Sequence, residues 1–124
     1  MSGNDKGMLE ERLFEYAVRA IAVARALPKS DVGGHIGKQM LRSGTPAGAN
    51  YQEAVGWESR NDFVHKMQIV LKELRETYYW LRVTKAVRLL PVKRLEDILQ
   101  ESNELIAMTV KSIVTAKGRA RSGR

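Results

Sequence analysis

The 124-residue chain predicts an all-α fold, an antiparallel up-down-up-down four-helix bundle. Three observations carry that reading. Apolar residues recur at alternating spacings of four and three over long stretches, the signature of helices with one buried face. Prolines and glycines fall between those stretches, where chain reversals are needed. No segment keeps up strand alternation, and short connections between long helices make neighbours antiparallel. A single domain over residues 1–117 follows, with 118–124 as a basic flexible tail.

The first helix is expected over 8–27. Leu13, Ala17, Ala20, Ala24 and Leu27 form its seam, and Pro28 ends it. Ser30 or Asp31 then caps a second helix over 31–55, whose opening turns are weakened by Gly33, Gly34 and Gly37. Pro46 lies inside this helix and cannot donate to the carbonyl of Arg42. A kink is expected there, with Gly44, Ala47, Gly48 and Ala49 letting another helix approach closely.

The third helix is expected over 59–89. Ser59 and Asp62 resemble a capping box with Asp in place of Glu. Phe63, Met67, Val70, Leu74, Thr77, Leu81 and Thr84 form its seam, and Pro91 marks the next turn. The fourth helix is expected over 92–117. Its seam reads Leu95, Leu99, Ser102, Ile106, Thr109 and Ile113, and Gly118 is placed as its stop.

The helices carry more apolar residues than one stripe each. Phe14, Val18 and Ile21 lie beside the first seam, Val64, Leu71 and Tyr78 beside the third, and Leu105 and Met108 beside the fourth. Two readings fit: a wide core, or a second surface buried between copies of the chain in a ring-like homo-oligomer.

Composition narrows the function classes. Cysteine is absent, which excludes disulfides and thiolate metal sites. The polar start, Met-Ser-Gly-Asn-Asp-Lys-Gly, has no apolar signal segment, and no run approaches the ~20 residues of a membrane span. A cytoplasmic protein without membrane contact is expected. The net charge is +7, and Lys117, Arg119, Arg121 and Arg124 supply four positive charges in the last eight residues. Those residues read either as a solvated terminus or as an arm on phosphate backbones.

The polar residues of the second helix suggest a packing motif of Arg42, Ser43, Asn50 and Glu53. Asn50 and Glu53 share a face, and their polar groups need partners if that face is interior. Arg42 lies two turns earlier and is a counter-charge through an oligomeric contact; a solvated Glu53 is the other reading.

Gln39-Met40-Leu41-Arg42-Ser43, then Ala49-Asn50 and Glu53, Ser59, Asp62-Phe63, and Lys72-Glu73-Leu74-Arg75-Glu76-Thr77-Tyr78-Tyr79-Trp80-Leu81 resemble the four-helix-bundle proteins encoded in 23S rRNA intervening sequences. That family is similar to the accessory variability protein of diversity-generating retroelements. Glu53-Ala54 stands where Glu-Gly is common, and Trp57 where a basic residue is frequent. The resemblance implies a non-enzymatic cytoplasmic bundle assembled as a ring of five. It further implies nucleic acid as a partner and a reverse transcriptase as another for the retroelement members.

Enzyme chemistry has one candidate. Arg60 and His65, five residues apart, resemble the motif of the all-helical HEPN ribonucleases, with His as general acid or base and Arg stabilising phosphorane charge. That offset leaves the two side chains only partly on one face. His35 and His65 sit on different helices with no spaced carboxylate motif, and Gly33-Gly34 lacks the P-loop lysine, so no metal or cofactor is expected. The expectation is a homo-oligomer that binds RNA or DNA through Lys117, Arg119, Arg121 and Arg124, with Arg60 and Lys66 as secondary contacts. A ribonuclease and a protein-binding scaffold are the alternatives.

Overall fold

A computed structural model describes residues 3–56 and 59–122, with side chains placed for 8–56 and 59–118. Its helices are α1 (Gly3–Ala26), α2 (Asp31–Gly44), α3 (Ala47–Gly56), α4 (Arg60–Ala86) and α5 (Lys93–Ser122), and no strand occurs among the described residues. These make four rods. The second rod is broken into α2 and α3.

That break corrects the continuous helix expected over 31–55. Thr45 turns its hydroxyl back onto the Leu41 carbonyl at 2.7 Å, and the Pro46 carbonyl accepts the Asn50 amide at 2.9 Å. One helix is closed and the next opened within two residues, so the missing Pro46 donor leaves no long irregular segment.

The caps follow from local chemistry. The Ser30 hydroxyl accepts from the Gly33 amide at 3.0 Å, and the Ser59 hydroxyl accepts from the Asp62 amide at 3.0 Å. A Cβ on Gly33 would lie 2.0 Å from the Pro28 carbonyl oxygen, so only glycine lets the chain reverse there. A Cβ on Gly44 would lie 2.8 Å from that of Ala20, which fixes the close crossing of α1 and α2.

α4 ends at Ala86 rather than Leu89. Arg88 takes the left-handed conformation at φ 58°; its amide bonds the Lys85 carbonyl at 3.2 Å, and the Leu89 amide reaches the Thr84 carbonyl at 3.1 Å. This is a Schellman stop with arginine where glycine is usual. The expected stop of the last helix at Gly118 is absent. No described glycine has a positive φ, and a helical glycine costs only about 1 kcal/mol, so α5 runs on to Ser122.

Leu9, Leu13, Tyr16, Met40, Tyr51, Met67, Leu74, Leu81, Leu95 and Leu105 are among the side chains forming the core. The seam read for α4 is buried from Met67 to Thr84. Thr77, Thr84, Ser102 and Thr109 are fully buried, and each hydroxyl donates to the carbonyl four residues back, at 2.7–2.9 Å. That local bond is why polar residues stand on an apolar seam without unpaired groups. On α5 the buried line runs through Ile98 and Leu105, while Leu99 and Ile106 lie at its margin. Leu105 is therefore core, and Val64 and Leu71 pack against the core. The apolar surplus is concentrated on α1, where Phe14 is 61%, Val18 52% and Ile21 36% exposed.

Candidate nucleic-acid interface

Cross-links fix the direction of each rod. Arg12 on α1 meets Glu101 and Glu104 on α5, and Tyr16 meets Ser102. Ser43 on α2 meets Thr77 on α4, and His35 meets Trp80. The end of α1, the start of α2, the end of α4 and the start of α5 therefore lie at one end of the bundle.

That end is basic. Arg25 and Lys29 come from the α1–α2 side, and Arg82, Lys85, Arg88, Lys93 and Arg94 from the α4–α5 turn; all are exposed. Asp31, Glu96 and Asp97 are the acids there. The left-handed backbone of Arg88 stands at the centre of the turn, just past the carbonyl end of α4, where a positive charge is favourable. Residues 82–94 hold five cations and no acid, a signal present in the sequence. The tail drew the charge argument instead, and the body's small net charge hid its separation into a basic end and a mixed one.

The residues picked from the sequence lie elsewhere. Arg60 opens α4 and Lys117 is exposed near the end of α5, both at the opposite end of the bundle. Arg119 and Arg121 lie on the final turns of α5, and Arg124 and Trp57 lie outside the described residues. Lys66 is half-buried and engaged by α3: its ammonium sits 2.7 Å from Glu53 and 3.4 Å from the Asn50 amide oxygen. His65 is exposed on the second turn of α4.

The polar motif of the second rod is built against α4. Ser43 and Thr77 are 2.8 Å apart. Since the Thr77 hydroxyl donates to the Glu73 carbonyl, Ser43 is the donor between them. The Asn50 amide donates to both Glu73 carboxylate oxygens at 3.0 Å. Burial pushes the Glu73 carboxyl above its usual range; the Asn50 bond opposes that shift and Glu76 adds to it. Arg42 does not reach Asn50 or Glu53. It pairs with Glu76 at 3.2 Å and with Gln39 at 2.7 Å. Arg42 stands on α2 and Asn50 and Glu53 on α3, so the counter-charge expected of Arg42 is one between copies of the chain, not within it.

Among the described residues no group of His, Asp and Glu could hold a metal ion, and no helix is long and apolar enough to cross a membrane.

A family model for the 23S rRNA-intervening sequence protein matches residues 9–111. The chain belongs to that family. A crystal structure from Bacteroides thetaiotaomicron VPI-5482, described as a protein with unknown function from the S23 ribosomal protein family, is similar to it. The two are 34% identical, with a TM-score of 0.78 over 85% of this chain and 97% of that one. No curated protein matches. The family match covers α2, α3 and α4 entire, and so includes the Ser43–Thr77 and Asn50–Glu73 contacts.

Proposed function

We propose that this family member is a non-enzymatic module that assembles with copies of itself and binds RNA or DNA through the phosphate backbone. The observation that carries the reading is the segregation of charge. Seven exposed cations and three acids meet at the α1–α2 and α4–α5 turns. Multiple cations on one face hold phosphates without reading sequence, and each contact releases counterions. The family's name makes RNA the first polyanion to try. The distal cations Lys117, Arg119, Arg121 and Arg60 add a second contact region in this reading, at the opposite end of the rod, and Arg124 follows them in the sequence. Lys66 contributes indirectly, by holding α3 to α4.

Self-assembly is supported by Phe14, Val18 and Ile21, three large apolar side chains one turn apart on the outer face of α1. Five copies is the number the family resemblance implies. A ring with bundles parallel to its axis would gather every basic end on one rim, multiplying contacts along one polyanion. A reverse transcriptase is the further partner that the resemblance to the retroelement accessory protein implies.

The test is the salt dependence of binding to a labelled 20-nucleotide RNA, followed by fluorescence anisotropy. Replacing Lys85, Lys93 and Arg94 by glutamine removes three phosphate contacts, so the slope of log K against log salt should fall by about 2 for a single strand. An unchanged slope removes the basic end from the function.

A further inference from the structure

A second feature lies on the flank of the bundle, next to the basic end. α2 and α4 enclose a half-open groove of about 670 Å³, with Arg42, Lys72, Arg75, Glu76, Tyr79 and Trp80 on its walls. Three of these are cations and one is an acid. Glu76 is engaged by Arg42, whereas Lys72 and Arg75 are exposed and make no ion pair among the described residues. With three cations against one acid on its walls, the groove carries a net positive charge.

It also offers a ring. Tyr79 is 55% exposed. Its orientation is fixed by Trp80, whose ring lies 5.0 Å away at 79°, and Trp80 is in turn braced by His35 at 5.6 Å and 82°. Two successive edge-to-face contacts hold a partly hydrated aromatic in place, beside Arg75 one turn away and Lys72 two turns away on the same helix. Gln68, Lys72, Arg75 and Tyr79 follow one another along that edge of α4 over about 16 Å. An apolar peptide would leave Lys72 and Arg75 facing it unpaired, and a duplex hides its base faces. An unpaired strand presents both phosphates and base faces.

We infer that the α2–α4 groove binds a short stretch of single-stranded nucleic acid, one base stacked on Tyr79 and the adjoining phosphates on Lys72 and Arg75. This rests on the nucleic-acid reading above and adds the strand type and the place. Glu76 is the one repulsive group in the groove, so it limits affinity rather than supplying it.

The experiment compares a labelled ten-nucleotide oligouridine with a hairpin duplex, by anisotropy at fixed salt, for the wild type, Tyr79→Ala, Tyr79→Phe and Glu76→Gln. Stacking is lost in Tyr79→Ala, so its affinity for the single strand should fall roughly tenfold while duplex affinity stays unchanged. Tyr79→Phe keeps the ring and should bind like the wild type, and Glu76→Gln should bind the single strand more tightly. Circular dichroism checks the helix content of each variant, which an exposed position should leave intact. If the wild type binds oligouridine and Tyr79→Ala binds it equally well, the groove assignment falls and the broader reading stands. If the wild type binds neither RNA, both fall. If Tyr79→Ala lowers the mass of the assembly in light scattering, the groove is a contact between copies and the assignment falls.

Discussion

Replacing Arg88 by glycine removes a charge and a backbone penalty together, and the two act in opposite directions in two assays. Arg88 holds φ 58° at the end of α4. A residue with a Cβ in that conformation costs about 1–2 kcal/mol, which glycine does not incur. Against this, glycine gives the unfolded chain about 0.5–1 kcal/mol more conformational freedom. Losing a cation from the carbonyl end of a helix costs about another 0.3 kcal/mol. The balance is a stabilisation of roughly 0.5 kcal/mol, a rise in melting temperature of about 2 °C for a chain of this size. Meanwhile one phosphate contact is lost from the basic end, so the salt slope for single-stranded RNA should fall by about 0.7. Thermal unfolding by circular dichroism reads the first quantity and anisotropy the second. Arg88→Gln separates them, since glutamine keeps the left-handed penalty and lacks only the charge. A loss of stability above about 1 kcal/mol in Arg88→Gly would show that the side chain braces the turn. An unchanged salt slope would show that it touches no phosphate.

Three other outcomes are expected. Phe14→Ser with Val18→Ser should convert an assembly of several 14.0 kDa chains into smaller species in light scattering, at unchanged helix content. With Phe14 61% exposed, the area open to a partner is about 120 Å², or ~3 kcal/mol if fully covered; a wild type already monomeric refutes the role of that face. Thr77→Val should destabilise by about 1–2 kcal/mol in urea titration, because the Ser43 hydroxyl loses its acceptor. Adding Ser43→Ala should then cost little more, and a fully additive second loss would mean the two hydroxyls are not coupled. Glu73 is held above the ordinary carboxylate value of 4.5 chiefly by burial, so its charged form weakens the fold at neutral pH. That penalty is relieved as pH falls through the raised pKa toward 4.5, and Glu73→Gln should lose this particular gain on acidification; identical pH profiles would refute it.

The α4 seam was legible from period alone. On α1 and α5 period left the buried line one position off, with Tyr16 and Val23 buried in place of Ala17 and Ala24, and Ile98 and Leu105 in place of Leu99 and Ile106. Thr77, Thr84, Ser102 and Thr109 read as core positions despite their hydroxyls, and each lies fully buried on a carbonyl four residues back. The split at Thr45–Pro46 was not legible, since a kinked and a broken helix share one sequence around Pro46. Periodicity also overestimated the free apolar surface. Leu105 counted as surplus because its seam was drawn one position away, through Ile106. Lys66 shows the limit for sites. Its charge is plain in the sequence, but its use by Glu53 and Asn50 depends on how α3 folds back along α4. The basic end needed only the topology already expected: once α1 and α4 end together, Arg25 and Lys29 join the cations of residues 82–94.

The groove and the basic end lie along one edge of α4. Lys72, Arg75, Tyr79 and Arg82 recur at three and four residues, and that line runs from the groove to the turn carrying Arg88, Lys93 and Arg94. From Lys72 to Arg88 is about 24 Å along the helix axis. A strand seated on Tyr79 can therefore continue onto the turn only if it is long enough to span that distance. An RNA that ends inside the groove loses the contribution of Lys93 and Arg94, so its salt slope should be the same for the wild type and for Lys93→Gln with Arg94→Gln. A longer RNA should distinguish the two proteins by about 1.4 in slope, two single-strand contacts. Equal slopes at both lengths would mean that groove and turn do not share one strand.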